Sequence, residues 1–597
     1  MDIKKTTTAN NGTKEIANNK AMTNSFGLKM NAALKTDVVS FSGKAQKASP
    51  EERMALYAVK FLDEIGLKED QPLQITADSK YVPFLRVLSE EAYKNGSGRI
   101  SIKVVEPELE ALKKKYGVTE EFDYKKAAIK ELEDEGALFV KFDDTNCPYK
   151  ASGLNKKEAT AQAKSLYPSI PKDVQNIFKL NPEELFKTAL DMKEGEPAII
   201  RGEREHLPQI IKLVDYLYSK NKTTLVDVRL TEAKEFNPSI AFYKYAKEDL
   251  IGKFTKSSVD GVKECYEKDA ATLILCGDDP ELYKEIDSKK IVQNSKPFRE
   301  AIKEYHSKAS SNNPWLIYYA PTTKSVGLAY PEYGSDKVAA LAHALKDAKE
   351  INRVGKLKEH IEAVELRAKK MNELLDKGYS NIRYVSVDPD TKEPDGKTDL
   401  KIGLSEKSFF GGARMDMAKT GHKPLVNIPT EEIFTSPMDN TAEGKVSATM
   451  PLVLNGKVVE DIQMTFKEGK AVEVTASKNL DMLKEHINAN KNADRLGEVA
   501  LVAGSPIFKQ NRLFYETLLD ENAACHIAIG SAYPDVVKGA EEFEDYEEQE
   551  KYLKDLHINS STAHNDFMIG GPNVYVYAEN PKTGEKVQVI KDDKFLL

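Results

Sequence analysis

No two of the four cysteines (Cys147, Cys265, Cys276 and Cys525) stand close enough in the chain to form a Cys-x-x-Cys pair. That excludes a thiolate zinc ribbon, and it offers no disulfide framework to a chain of 597 residues. A reducing compartment, and with it a cytoplasmic location, is the expectation. Histidine is scarce too, with nine in all. There is no run of about 18 apolar residues, so no membrane-spanning helix is expected. The opening MDIKK is basic, but no apolar stretch follows, so no secretory signal is expected. Positive charge is not in excess either. A net charge of −8 gives no general surface for nucleic acid.

What is present is ordinary for a soluble globular protein: 40% hydrophobic and 30% charged residues. The length suggests three or four domains. Residues 1–50 are rich in Asn, Thr, Lys and Ser and cannot bury enough apolar surface to offset their ordering entropy, so they read as a flexible tail.

From Pro50 onward helical and strand-like patterns alternate. MALYAVKFLDEIGL is helix-periodic, LQITA is strand-like, VPFLRVLSEEAYKNG is helical and RISIKVV is a strand again. The same order returns as MKEGEPAII, LPQIIKLVDYLYSKN and TTLVDVRL. At an offset of 125 residues Lys68 matches Lys193, Pro72 matches Pro197, Pro83 matches Pro208 and Tyr93 matches Tyr218. GALFVKFDD and AATLILCGDD match at a slightly larger offset. We read an α/β fold with an internal duplication: an extra copy over 51–180 and a second copy over 181–345.

A long helical stretch from Asp336 to about Lys377 reads as a linking or dimer-forming helix. Strands then dominate to the end, with a hairpin expected at Asn455-Gly456. Residues 346–597 thus read as a separate, β-rich α+β domain. Its acidic stretch EEFEDYEEQE (541–550) is most simply a solvated surface.

Four stretches of this last domain carry candidate ligands. NIPTEEIFTSP offers Glu431 and Glu432, of which an extended segment can aim only one at a site. In DRLGEVALV, Glu498 enters an apolar strand, and a buried carboxylate there needs a partner or a metal. LFYETLLDENAACHIAIGSAY places Asp520, Glu521, His526 and Tyr533 where a helix hands over to a strand. Glu521 and His526 are five apart and converge only if the chain turns between them. In AHNDFMIGG, His564 and Asp566 stand at i and i+2, on one side of a strand. Carboxylates with imidazoles and no thiolates suit Zn, Co or Mn, and Mg where oxygen predominates. So many carboxylates could hold two ions.

These four motifs, in this order, resemble the M29 family of metalloaminopeptidases, the aminopeptidase T and aminopeptidase S group. TDLKIGL and PWLIYYAPT resemble family segments as well, and the likeness runs from about residue 180 to the end. The resemblance implies metal ligands at Glu432, Glu498, Glu521, His526, His564 and Asp566, and a catalytic Tyr533. It implies two divalent ions, a homodimer, peptide substrates and removal of N-terminal residues. Residues 181–345 would then be the family-type N-terminal domain and 346–597 the catalytic one.

The mechanism expected is attack by a metal-bound water nucleophile. Tyr533 would stabilise the oxyanion, and Glu432 or Glu498 would carry the proton. Two other readings are a hydrolase of another amide and a non-catalytic peptide- or metal-binding relative. The chain departs from the family in its tail and extra copy, in a longer acidic segment between Tyr533 and His564, and in Asn565, where an apolar residue is usual.

Overall fold

Helix α1 (Pro50–Glu64) starts where its sequence says it should. Ser49 caps the amide of Glu52, Glu52 reaches back to the amide of Ser49, and Pro50 fills the first turn, where an amide would be unsatisfied anyway. The computed structural model to which this helix belongs describes residues 48–417, 419–454, 457–543 and 545–597. The tail expected over 1–50 therefore lies, up to residue 47, outside the described residues, as does the Asn455-Gly456 turn. The segments flanking that turn, Leu452–Leu454 and Lys457–Val459, do pair antiparallel.

Three parallel strands follow: β1 (Leu73–Asp78), β2 (Ile100–Val105) and β3 (Leu138–Phe142), in the order β2-β1-β3. Helix α2 (Val82–Lys94) makes the crossover that parallel pairing requires. Helices α3 (Pro107–Tyr116) and α4 (Asp123–Asp134) lie between β2 and β3. This part has a core of its own, with Phe61, Ile75, Phe84 and Phe142 all at most 1% exposed.

The next strands are β4 (Ala198–Glu203), β5 (Val226–Thr231), β6 (Ala271–Cys276) and β7 (Trp315–Tyr319). With β8 (Asn427–Ile428) they form a parallel sheet in the order β8-β7-β6-β4-β5. The order β5-β4-β6 repeats the order β2-β1-β3. In both, a 3-10 turn follows the central strand (Ser79–Tyr81, Arg204–His206) and leads into a helix with proline in its first turn. Helices α5 (Leu207–Tyr216), α6 (Pro238–Tyr245) and α7 (Lys256–Glu267) connect the strands, and α8 (Ser288–Asn312) precedes β7.

The stretch expected as one long helix is two, α9 (Lys337–Ile351) and α10 (Leu357–Asp376). The break carries left-handed backbone at Arg353 and Gly355, which no helix tolerates. Both helices pack on the chain's own core along one face. Helix α10 alone buries Leu357, Ile361, Val364, Ala368 and Met371 in the chain's own core, and the boundary drawn at 345/346 falls inside α9.

The remaining chain is antiparallel. An eight-stranded sheet is built from strands within residues 381–403, 443–447, 463–475 and 574–595. A four-stranded sheet runs β9 (Glu432–Thr435), β10 (Leu496–Val502), β11 (His526–Gly530), β12 (His564–Met568). One continuous core joins both to the sheet of β4–β8. Among the described residues no helix is long and apolar enough to cross a membrane.

Candidate metal centre

The four-stranded sheet brings four distant motifs side by side. Glu498 on β10 pairs with Ala528 on β11, which pairs with Asp566 on β12. His526 pairs with Ala500, and His564 with Gly530. Small residues therefore separate the candidate ligands, and the space above Ala500, Ala528 and Gly530 is left for the large polar side chains beside them. Gly497 serves the same end. A side chain there would meet the Ser531 carbonyl at 2.2 Å, so only glycine allows the bulge that precedes Glu498.

Alternation along β9 separates the two glutamates. Glu432 faces the site. Glu431 faces away, accepting from Arg353 Nε at 2.9 Å and Nη2 at 2.8 Å, with His360 beside it. Burial raises Glu431 to about 7, against the pull of Arg353.

His526 Nε2 stands 3.2 Å from Glu432 Oε2. His564 Nε2 stands 3.2 Å from Glu498 Oε2 and 3.3 Å from Asp566 Oδ1. The other ring nitrogens are pinned by carbonyls, His526 Nδ1 by Ala524 O at 3.1 Å and His564 Nδ1 by Ser531 O at 2.7 Å. Such outer partners fix ring orientation and turn Nε2 toward a ligand. The ligand atoms fall into two groups, Glu432/Glu498/His526 and Glu498/His564/Asp566, each with all its atoms within 4.8 Å. Glu498 belongs to both.

Glu521 closes the five-residue helix α11 (Thr517–Glu521), and the chain turns before His526 opens β11. The helix expected over LFYETLL is shorter than its periodicity suggests, because Tyr515 takes left-handed backbone (φ 59°). Glu521 is in neither ligand group, but it shares their field. Burial and the charges of Asp566 and Glu432 push its carboxyl well up. Asp520 looks elsewhere, accepting the amide of Phe514 at 2.8 Å.

The electrostatics call for cations. Among the described residues no lysine or arginine ion-pairs with Glu432, Glu498, Glu521 or Asp566. Glu432 Oε2 and Asp566 Oδ1 are buried, with a histidine Nε2 beside each at 3.2 and 3.3 Å. Burial opposes charge on His526, yet the hydrogen bond to Glu432 and the surrounding carboxylates lift it to about 10. A divalent ion would take the place of such protons, so the donor set fits metal.

Tyr533 lies just beyond β11. Its hydroxyl is 3.2 Å from His564 Nε2 and its ring packs edge-on against Phe434. Ser436, directly after β9, holds its backbone, a role that sequence reasoning missed although the residue stands inside the EEIFTS motif. Beside Glu521, His564 and Asp566 opens a small cavity of about 150 Å³, lined further by Leu452, Val453 and Glu516. The second half of the acidic stretch lies in helix α12 (Tyr546–Asp555), whose Leu553 packs with Val537 and Ala540 beneath the loop after Tyr533. Lys303 of α8 lies over the Tyr546 ring.

The family described as Thermophilic metalloprotease (M29) matches residues 182–595. Aminopeptidase AmpS of Bacillus subtilis (strain 168) is 28% identical over 394 residues, covering 65% of this chain and 91% of its own length. Aminopeptidase T of Thermus thermophilus is 30% identical over 417 residues, covering 67% of this chain and 95% of its own length. The solved structure of wild-type AmpT from Thermus thermophilus superposes with a TM-score of 0.62 at 25% identity, covering 71% of this chain and 99% of that one.

Proposed function

This chain belongs to the M29 family of thermophilic metalloproteases, and from that premise we propose that it removes N-terminal residues from peptides at a centre of two divalent ions. It is a metalloaminopeptidase, a peptide hydrolase. The observation that carries the two-ion reading is the position of Glu498, common to two ligand groups that otherwise share no residue. Glu432 and His526 would hold one ion with it, His564 and Asp566 the other. The metal is Zn, Co, Mn or Mg by its donor set. Bound ions supply Lewis acidity: they polarise a carbonyl and make water acidic enough to attack at neutral pH.

The chain's own groups do the rest. Tyr533 would donate to the oxygen of the attacked carbonyl, a role supported by its hydroxyl lying 3.2 Å from His564 Nε2. The attacking water loses a proton and the leaving amine gains one, so a site carboxylate must carry it from one to the other. Glu432 or Glu498 would carry it, and Glu521, whose carboxyl is buried in the field of Asp566 and Glu432, would add a further carboxylate to the ligand set. The apolar wall of Leu452 and Val453 beside Glu521 and Asp566 gives a side chain a place to sit.

The reading extends to a homodimer and a cytoplasmic location, the latter supported by four free cysteines. We also read residues 51–180 and 181–345 as two copies of one α/β unit, on the repeated strand order.

The test is metal content together with a substrate panel. Metal analysis should give two ions per chain. A chelator should abolish hydrolysis of aminoacyl-anilides, and Co²⁺ or Zn²⁺ should restore it. N-acetylated anilides should not be cleaved. Full activity in metal-free protein, or equal cleavage of the acetylated series, would overturn the proposal.

A further inference from the structure

Residues 51–180 lie outside the family match, and the way they pack on the second unit is reciprocal. Helices α4 and α7 run side by side, and each caps the other. Glu264 of α7 accepts the amides of Asp123 and Tyr124, both at 2.8 Å, at the start of α4. Glu131 of α4 accepts the amides of Lys256 and Ser257, at 3.0 and 3.2 Å, at the start of α7. Each carboxylate meets the exposed amides and the positive end of the facing helix. Glu264 stands 133 residues after Glu131, and Lys256 and Ser257 stand 133 after Asp123 and Tyr124. The equivalent residues of the two copies thus make the equivalent bonds.

A ring pair repeats the exchange. Tyr93 packs its ring on Phe242 of α6, while Tyr218, its counterpart in the second copy, packs on Tyr116 of α3. Tyr116 also donates to Asp215 of α5 at 3.0 Å. An interface in which residue i meets j and j meets i is the signature of two-fold pairing between like surfaces.

One feature breaks the symmetry. Arg204 sets its guanidinium between Glu232 of its own unit and Glu106 of the extra copy, at 2.5–2.7 Å, all three buried. Glu106 and Glu232 are counterparts, but Ser79 stands where a second arginine would be. One arginine therefore serves two buried carboxylates. Two second units facing each other would bring two.

We infer that the face of the second unit formed by α5, α6 and α7 is a self-complementary pairing surface, that residues 51–180 fill it as a built-in partner, and that without them it takes a second copy of this chain through Glu264. The covered face is thereby withheld from association in the intact protein. This inference uses no residue of the metal centre and stands apart from the catalytic reading.

The test compares the full chain with a chain beginning at residue 181. That body holds the whole family match, residues 182–595, and relatives match this chain over 91% and 95% of their own length. Light scattering should show the number of bodies per particle doubling when residues 1–180 are removed. Glu264→Lys should abolish the doubling in the shortened chain and leave the full chain's count unchanged. A count unaltered by truncation, or a doubling that survives Glu264→Lys, overturns the inference. Loss of folded circular dichroism on truncation overturns it as well, because the face would then be core and not a pairing surface.

Discussion

Ser436 holds the backbone of Tyr533 from both sides. Its hydroxyl accepts the Tyr533 amide at 3.0 Å and donates to the Tyr533 carbonyl at 2.8 Å. The serine is fully buried and lies four residues past Glu432. One segment therefore presents a candidate ligand and also fixes the candidate oxyanion donor. Tyr533→Phe should keep its metal and lose about 10²–10³ in kcat, the usual effect of losing one such donor. Ser436→Ala should keep metal and KM while kcat falls by about tenfold, because a misplaced donor costs less than a missing one. Unchanged kcat in both variants would leave Tyr533 a packing residue.

Glu498 and His526 should differ in metal stoichiometry. Glu498 serves both ligand groups and His526 only one. Glu498→Ala should empty the centre of both ions, whereas His526→Ala should keep about one. Elemental analysis after dialysis at matched free metal decides it. Equal losses in the two variants would contradict the sharing of Glu498.

Glu521→Gln separates a proton carrier from a ligand. The amide keeps the shape of the side chain but cannot hold a transferable proton. Metal affinity and kcat should fall together, by about 10–100-fold, because a neutral amide holds a divalent ion more weakly than a carboxylate. Unaltered metal content with a lost rate would make Glu521 a proton carrier and not a ligand.

Glu203 predicts a pH dependence of stability away from the metal centre. It ends β4, is 5% exposed, and is pushed to about 9 by burial first and then by its bond to Asp278. A folded value raised above the ordinary 4.5 means that the native chain keeps a proton which the unfolded chain releases. The native state is thus increasingly penalised as pH climbs from about 4.5 toward about 9, and nothing is lost below that window. Glu203→Gln keeps the shape and a donor toward Asp278. It should match the unaltered protein at pH ~5 and exceed it by at least about 1 kcal/mol at pH ~8. Urea unfolding at the two pH values measures this, and a difference independent of pH would refute it.

The strands that carry the candidate ligands were legible because their signals are local. In β12 the two-residue period puts His564 and Asp566 on one side, and they stand 3.3 Å apart. The apolar run around Glu498 announced a buried carboxylate, and the residue is 4% exposed. Helical signals were less reliable where a single residue decides the outcome. The left-handed backbone at Tyr515 shortens α11, and that at Arg353 and Gly355 divides α9 from α10. Periodicity averages over a turn or more and does not register one such residue.

The sequence by itself determined the chemistry offered: carboxylates and imidazoles without thiolates, on short strands whose alternation limits which neighbours can converge. It determined that only one of Glu431 and Glu432 could face the site, since adjacent residues of a strand point apart. The motif resemblance pointed to Glu432, and the tertiary structure gives the physical reason: Arg353 and His360 stand on the Glu431 side and hold it away from the site. It also decided that Glu498 lies level with Asp566 across Ala528, and that Glu131 and Glu264 cap each other's helices. The reason is one of range. Side-chain direction is set by the dihedrals of a few neighbouring residues, whereas register and packing are set by hydrogen bonds and buried area between segments far apart in the chain.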